Sequence, residues 1–340
     1  MRKLQNTLYI TTPNSYIYKD GLNIVISVDQ KETFRVPIIN IESIVTFGYM
    51  GISPGAMSLC NEYNISITFL APNGRFISHI HGPTKGNVLL RKSQYNISDD
   101  PIISLHLARL IIAAKIQNYR SFLRRHIRDY GENRQIEYAA EQLNIFKRKA
   151  LICTDKPTLL GIEGLASGAY FAALPQLIRN EHPAFSFSGR NKRPPRDAVN
   201  AMLSLAYTLI ANDTTAALEA VGIDPYVGVF HTIRPGRTSL ALDIMEEFRA
   251  YLGDQFVLSL INKRQIAPND FLYQGDNSVI LTDNGRRTFI SAWQNRKRDT
   301  ITHPYLNEKV EIGLLPHIQA MLLARFMRNE IDDYPVFLIQ

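Results

Sequence analysis

The sequence predicts an α+β fold, with an N-terminal β-rich domain over residues 1–95 and a larger all-α domain over 101–340. Three observations carry this expectation. Short β-branched and aromatic runs separated by turn residues fill the first portion. From Ile102 onward alanine, leucine, arginine and glutamine dominate, with few strand formers. Between them Ser98-Asp99-Asp100-Pro101 joins capping residues to a proline, which opens a helix and puts the boundary in residues 93 to 101.

Taken in order, Leu22 to Val28, Phe34 to Ile39, Ser43 to Phe47, Ile65 to Leu70 and Phe76 to Ile80 read as strands. Asp20-Gly21, Asn73-Gly74 and Gly82-Pro83 punctuate them, and Gly55 to Tyr63 reads as an intervening helix. Ile102 to Lys149 is a long amphipathic run, and Gln255 to Leu260 and Pro316 to Arg328 continue the helical pattern. The 340 residues suffice for two domains, and a hydrophobic content of 45% excludes wholesale disorder. A balance of 38 basic against 31 acidic residues, net +7, points toward polyanions. Two cysteines, Cys60 and Cys153, are too few for a disulfide framework or a thiolate zinc site. The start MRKLQNTLYI lacks a secretion signal, so a reducing, cytoplasmic setting is expected. Pro157 to Ile178 is interrupted by Glu163 and Pro175 and reads as a buried helix, not a membrane span.

Three stretches of the helical portion carry chemistry. In LLGIEGLASGAYFAAL, Leu159 to Leu174, the glycines Gly161, Gly164 and Gly168 recur at helical spacing, which allows another backbone to approach. Glu163 is the one charged side chain between Lys156 and Arg179, and a buried carboxylate needs a cation, a metal or donors to compensate it. A second stretch, FSFSGRNKRPPRDAVNAMLSLAY, gathers Arg190, Lys192, Arg193 and Arg196 around Pro194-Pro195. The prolines stiffen a basic loop suited to a phosphate backbone. The third, GVFHTIRPGRTSLALDIMEEFR from Gly228 to Arg249, places His231 before a helix capped by Thr238 or Ser239. At ~100° per residue its acids Asp243, Glu246 and Glu247 share about one third of the circumference. The apolar set from Leu240 to Leu252 covers the other side.

Glu163, His231, Asp243 and Glu246 together form an oxygen-rich set with a single nitrogen donor, suited to Mg2+ or Mn2+ more than to structural zinc. The basic loop, with Arg234 and Arg237 beside the histidine, would hold a phosphodiester. From the residues alone this is a metal-dependent phosphodiester enzyme acting on nucleic acid, its metal site in the all-α domain. Other signals are set aside. His79 and His81 alternate as a metal pair would, but no acid or cysteine lies nearby in sequence. Gly82-Pro83-Thr84-Lys85 is no phosphate loop, and neither a dinucleotide fingerprint nor a nucleophile elbow is present. Arg286-Arg287 and Arg296-Lys297-Arg298 around Phe289 and Trp293 are surface charge or a further nucleic-acid contact.

The ordered set LLGIEGLASGAYF, FSGRNKRPPRDAVNAMLSLAY and FHTIRPGRTSLALDIMEEFR resembles the CRISPR adaptation integrases, the Cas-one family, over the whole chain. It most resembles members found with type I-C systems. The resemblance implies that Glu163, His231 and Glu246 are metal ligands, with Asp243 an acid close to the metal. Many members carry aspartate at the third position and a shorter loop after the histidine. Asp243 and Glu246 therefore both stand as candidates, with Glu246 the expected one. Glu247 matches no ligand and is expected to be solvent-exposed or salt-bridged. The implied activity, in antiviral defence, is spacer acquisition: a 3′-hydroxyl of a captured DNA segment attacks a phosphodiester at the end of a repeat. Implied partners are double-stranded and partly single-stranded DNA, a second copy of the chain joined through the β-rich domain, and a Cas-two protein dimer. The alternative is a stand-alone metal-dependent nuclease on branched or single-stranded DNA, because the same ligands would activate water.

Overall fold

The computed structural model describes residues 6–48, 50–72, 76–80, 82, 88–192 and 194–339. Asn73-Gly74, His81, Pro83 to Lys85 and Arg193, all named above, lie outside the described residues.

The N-terminal part holds β1 (Asn6–Ile10), β2 (Ser15–Asp20), β3 (Asn23–Val28), β4 (Lys31–Pro37), β5 (Ile41–Phe47), β6 (Gly51–Ile52), α1 (Pro54–Glu62), β7 (Ser66–Leu70) and β8 (Phe76–Ile80). They form two four-stranded sheets, ordered β4-β3-β2-β6 and β1-β5-β7-β8. In the second, β1, β5 and β7 run parallel and β8 returns antiparallel. Ile17 and Ile24 from one sheet, Ile44 and Ile67 from the other, and Leu59 of α1 close a first apolar core. Successive residues of a strand point to opposite faces, so Val45 and Phe47 join the core of the helical part while Ile44 stays in the inter-sheet core. The central strand of this sheet is thus buried on both sides.

The chain turns helical at α2 (Val88–Asp99), followed by α3 (Pro101–Tyr130), α4 (Arg134–Ile152), α5 (Lys156–Ala173) and α6 (Ala198–Val221). Asp100 caps α3 by accepting from the amides of Ile102 and Ile103. The long run predicted from Ile102 breaks at Gly131, at φ 97°, and Asn133 caps the next helix. After α7 (Ser239–Met245) come a π-helical turn at Arg249–Asp254, α8 (Gln255–Asn262), α9 (Asp283–Arg298) and α10 (Leu315–Met327).

Two sequence expectations about this part need correction. It is mostly helical and not all-α: β9 (Phe271–Tyr273) pairs with β10 (Val279–Leu281), and β11 (Thr300–Thr302) with β12 (Lys309–Glu311). The turn Gln274–Ser278, with Asn277 at φ 59°, closes the first hairpin through Gln274 N–H to Ser278 O at 2.8 Å. Such three-residue strands leave almost no periodicity to read. The three glycines of α5 do not admit a neighbouring backbone, since a Cβ at Gly161, Gly164 or Gly168 would meet nothing within 4 Å.

Two basic residues of α9, Arg286 and Lys297, are turned inward. Phe289 and Trp293 are buried. Arg286, also buried, donates to Pro72 O and lies 5.5 Å over the Phe47 ring. Lys297 pairs with Asp213 at 3.0 Å. No helix among the described residues is long and apolar enough to cross a membrane.

The C-terminal tail is clipped onto the centre of the helical part. Asn118 of α3 donates to Glu247 O at 2.8 Å and Phe337 O at 2.9 Å, and accepts from Ile339 N–H at 2.9 Å. Glu247 is fully buried, contrary to the exposed or salt-bridged role expected for it. Its carboxyl accepts from Phe337 N–H at 2.7 Å, Tyr334 Oη at 2.8 Å and Gln319 Nε2 at 2.9 Å. Burial outweighs those donors and pushes its pKa up to about 7. A raised carboxyl pKa favours the neutral form in the fold. Its contribution is therefore full below the ordinary value of 4.5 and is lost as pH rises through about 7. Glu247→Ala, which strands three buried donors, should cost on the order of 2–4 kcal/mol in urea unfolding. Glu247→Gln should flatten the fall in melting temperature between those two pH values; an undiminished fall would assign it to another group.

Candidate functional site

The histidine loop is built by its neighbours. From α2, the buried side chain of Gln94 donates to Asp224 O at 2.7 Å and Val227 O at 3.0 Å, and accepts from Asp224 N–H at 2.9 Å. Ser98 Oγ donates to Gly228 O at 2.8 Å. Gly228 must be glycine, because a Cβ there would stand 2.6 Å from Asp243 Oδ2 and 2.8 Å from the Ser239 carbonyl carbon. Neither Thr238 nor Ser239 caps α7. Thr238 makes no side-chain cap, Ser239 Oγ donates to Thr232 O, and Pro225 O takes the first helical amides.

Asp243 is fully buried and works on this loop. Its oxygens accept from the amides of Val229 at 2.7 Å, Phe230 at 3.1 Å and His231 at 2.9 Å. His231 Nδ1 lies 2.7 Å from Asp243 Oδ1. A carboxylate so surrounded by donors only accepts, so the ring proton sits on Nδ1 and the Nε2 lone pair is left for another partner. That nitrogen is 4.0 Å from Glu246 Oε1.

Glu246 is buried one layer below the surface. Its Oε2 contacts Arg249 Nε at 3.0 Å and Lys115 Nζ at 2.8 Å, which leaves Oε1 toward His231. Lys115 reaches from α3, with 2% of its side chain exposed, and its ammonium also contacts Glu163, which accepts a second bond from Ser167 Oγ at 2.8 Å. Burial alone would raise the Glu163 carboxyl, but the Lys115 ammonium, the Ser167 hydroxyl and Arg249 hold it down to about 2. Glu246 is likewise lowered: burial opposes its charge, and Arg249 and Lys115 outweigh burial. Burial also opposes the charge of Lys115, which the facing carboxylates Glu246 and Glu163 keep protonated.

Glu163 and His231 open into a cleft of about 1800 Å3 that Arg190, Lys192, Arg234 and Arg237 also line. Arg234 and Arg196 are exposed. Arg190 has a different job. Its guanidinium donates to Asn200 Oδ1 at 2.6 Å and Ser204 Oγ at 3.1 Å, and lies 5.3 Å over the Tyr207 ring. It locks the basic loop to α6.

The three acids predicted on one helix face thus diverge: Asp243 to the loop, Glu246 to the cations, Glu247 to the tail. Among the described residues no three His, Cys, Asp or Glu side chains form a ready metal cage, since an ammonium separates Glu163 from Glu246. The donor chemistry nevertheless fits a hard divalent ion: a lone-pair imidazole and two ionised carboxylates drawn toward a shared cation. His79, with Nδ1 on Thr68 and Nε2 3.3 Å from Glu219, is structural.

Sequence reasoning missed Lys115, Arg249 and the buried tyrosines below them. The signal for Lys115 was available: it is the one charged residue between Arg109 and Arg120, in an apolar run. Arg249 lies 4.7 Å over Tyr207, whose hydroxyl bonds Asp254, while Tyr119 and Tyr170 stack at 3.8 Å.

The model of the CRISPR associated protein Cas1 family matches residues 8–295. The chain belongs to this family. That confirms the Cas-one resemblance for the family as a whole. The chain is 44% identical over 340 residues, 99% of each sequence, to a CRISPR-associated endonuclease Cas1 of Chlorobaculum tepidum. A CAS1 protein from Thermotoga maritima superposes with TM-score 0.84 at 22% identity, covering 98% of this chain and 100% of that one. A chain of a Cas6-RT-Cas1–Cas2 complex gives TM-score 0.85 at 23% identity, over 99% of this chain and 36% of that one. Both structures share the β-rich N-terminal part and mostly helical C-terminal part described above.

The two candidates for third ligand face different atoms of His231, Asp243 its Nδ1 and Glu246 its Nε2. Glu246→Gln should abolish Mn2+ binding in calorimetry. Asp243→Asn, acting through His231, should weaken it by about 10–100-fold. Equal loss in both would place Asp243 on the metal.

Proposed function

We propose that this Cas1-family protein is a metal-dependent DNA integrase of CRISPR adaptation, inserting short DNA segments into a repeat array. The observation that carries the reading is that Glu163 and His231 line a cleft shared with basic side chains, with the buried Glu246 4.0 Å from His231 Nε2 and joined to Glu163 through Lys115. Glu163, His231 and Glu246 would hold Mg2+ or Mn2+. When bound, the ion supplies Lewis acidity: it neutralises charge on the scissile phosphate and eases ionisation of the attacking hydroxyl.

The chain's own groups do the rest. Lys192, Arg196, Arg234 and Arg237 hold the phosphodiester backbone by charge, without reading bases. Asp243 fixes the ring of His231 in one tautomer. Lys115 and Arg249 grip the far oxygen of Glu246, so its other oxygen stays in place. In the reaction, the 3′-hydroxyl of the incoming segment attacks at the leader–repeat junction, and a second attack follows at the far end of the repeat. One phosphodiester forms as another breaks, so the step is transesterification. A second copy of the chain, joined through the β-rich part, and a Cas2 dimer complete the assembly; type I-C membership belongs to the same proposal.

A nuclease reading is favoured by one observation, the name of the C. tepidum relative as an endonuclease. Incubation with Cas2, a 3′-hydroxyl DNA segment and a supercoiled array plasmid separates the two. Strand-joined product supports integration, and cleavage without joining supports the nuclease. Glu163→Ala and His231→Ala should each abolish joining while DNA binding survives. Normal joining by Glu163→Ala would refute the site. Neutralising Lys192, Arg196, Arg234 and Arg237 together should flatten the dependence of log K on log salt by roughly 3 to 4. Neutralising Arg190 should instead loosen the loop.

A further inference from the structure

The two cations of the site have no place in a simple three-ligand picture. Lys115 bridges Glu163 and Glu246 from α3, and Arg249 takes the same Glu246 oxygen that Lys115 holds. Neither could easily leave: Lys115 is 2% exposed, and Arg249 is packed over Tyr207. Two carboxylates therefore face two fixed positive charges. Asp243 is turned to three loop amides and His231 Nδ1, with Lys156 within Coulombic range.

A hard divalent ion is held in proportion to the negative charge of its ligands. A donor set already neutralised by resident cations binds such an ion weakly. The missing negative charge is what a DNA phosphodiester brings to the same cleft, where Lys192, Arg234 and Arg237 line the wall. We infer that Lys115 and Arg249 make metal capture conditional on DNA: the free protein is metal-poor, and a bound phosphate completes the site. The inference rests on the metal-site reading above and adds its regulation. Reciprocity follows from linkage, so the ion must tighten DNA by the factor that DNA tightens the ion. Lys115 is here a charge-balancing residue that acts through Glu163 and Glu246.

The test measures Mn2+ affinity of the full-length protein by electron paramagnetic resonance and calorimetry. It is run with and without a splayed duplex whose 3′ ends are dideoxy, so that no joining occurs. His231→Ala with the same DNA subtracts Mn2+ bound to the duplex itself. Wild type should bind Mn2+ about tenfold or more tightly with DNA, and Mn2+ should tighten DNA by the same factor. Lys115→Met should bind Mn2+ about tenfold more tightly without DNA and lose most of the DNA-dependent gain. Lys115→Arg, which keeps the charge, should retain the coupling. Equal wild-type affinity with and without DNA overturns the inference, a comparison that needs no variant to fold. So does a folded Lys115→Met that binds Mn2+ no better than wild type. Mn2+ binding that survives His231→Ala in the free protein would remove the metal-site reading itself, and this inference with it.

Discussion

A buried charge cluster is the constraint on which the helical part is arranged. Lys115 of α3, Glu163 of α5, and Glu246 and Arg249 around the end of α7 meet, Lys115 and Glu246 buried and Glu163 and Arg249 at the cleft wall. Four isolated buried charges would each cost several kcal/mol, and a single missing partner would leave one uncompensated. These elements are therefore tied together by ion pairs as well as by apolar contact. Hydrophobic packing alone would tolerate a sliding α5. The cluster does not.

The same constraint accounts for the irregular backbone after Met245. A regular helix would carry Asp243, Glu246 and Glu247 round to neighbouring positions on one face, where three buried carboxylates would repel. Instead α7 stops at Met245, turns follow, and Arg249–Asp254 winds as a π-helical turn before α8. Such bulges commonly mark sites where side-chain direction matters more than helical regularity. Each acid then meets its own partners: loop amides, cations, or the C-terminal tail. The tail reports on the site for this reason. Glu247 binds Phe337 N–H while its own carbonyl accepts from Asn118, one turn of α3 from Lys115.

Much of this was legible in the sequence. The strands of the first part stood out because β5 and its neighbours alternate or run apolar between turn residues, and Asp100-Pro101 announced α3. Glu163 was visible as a lone charge in an apolar helix, and His231 as an imidazole beside arginines. The short hairpins of the C-terminal part were not, since three residues define no period. Nor was the divergence of the three acids, because ~100° per residue assumes a continuous helix and α7 ends at Met245, before Glu246 and Glu247. Lys115 was as visible as Glu163, a lone charge in the apolar run of α3. Arg190 was placed among the DNA contacts because sequence counts charges and cannot see Asn200 and Ser204 waiting for one.

Arg190 also connects what the sequence presents as separate stretches. It lies over the Tyr207 ring, as does Arg249, whose Nε holds Glu246. One tyrosine of α6 thereby serves the basic loop and the buried carboxylate together. Its hydroxyl is tied to Asp254 at the end of the π-helical turn, whose carboxyl burial pushes up to about 6. The basic loop is therefore packed against the same ring as the side chain that contacts Glu246. Basic loop and buried carboxylate are thus joined through a single ring, with Arg190 5.3 Å and Arg249 4.7 Å from its centre.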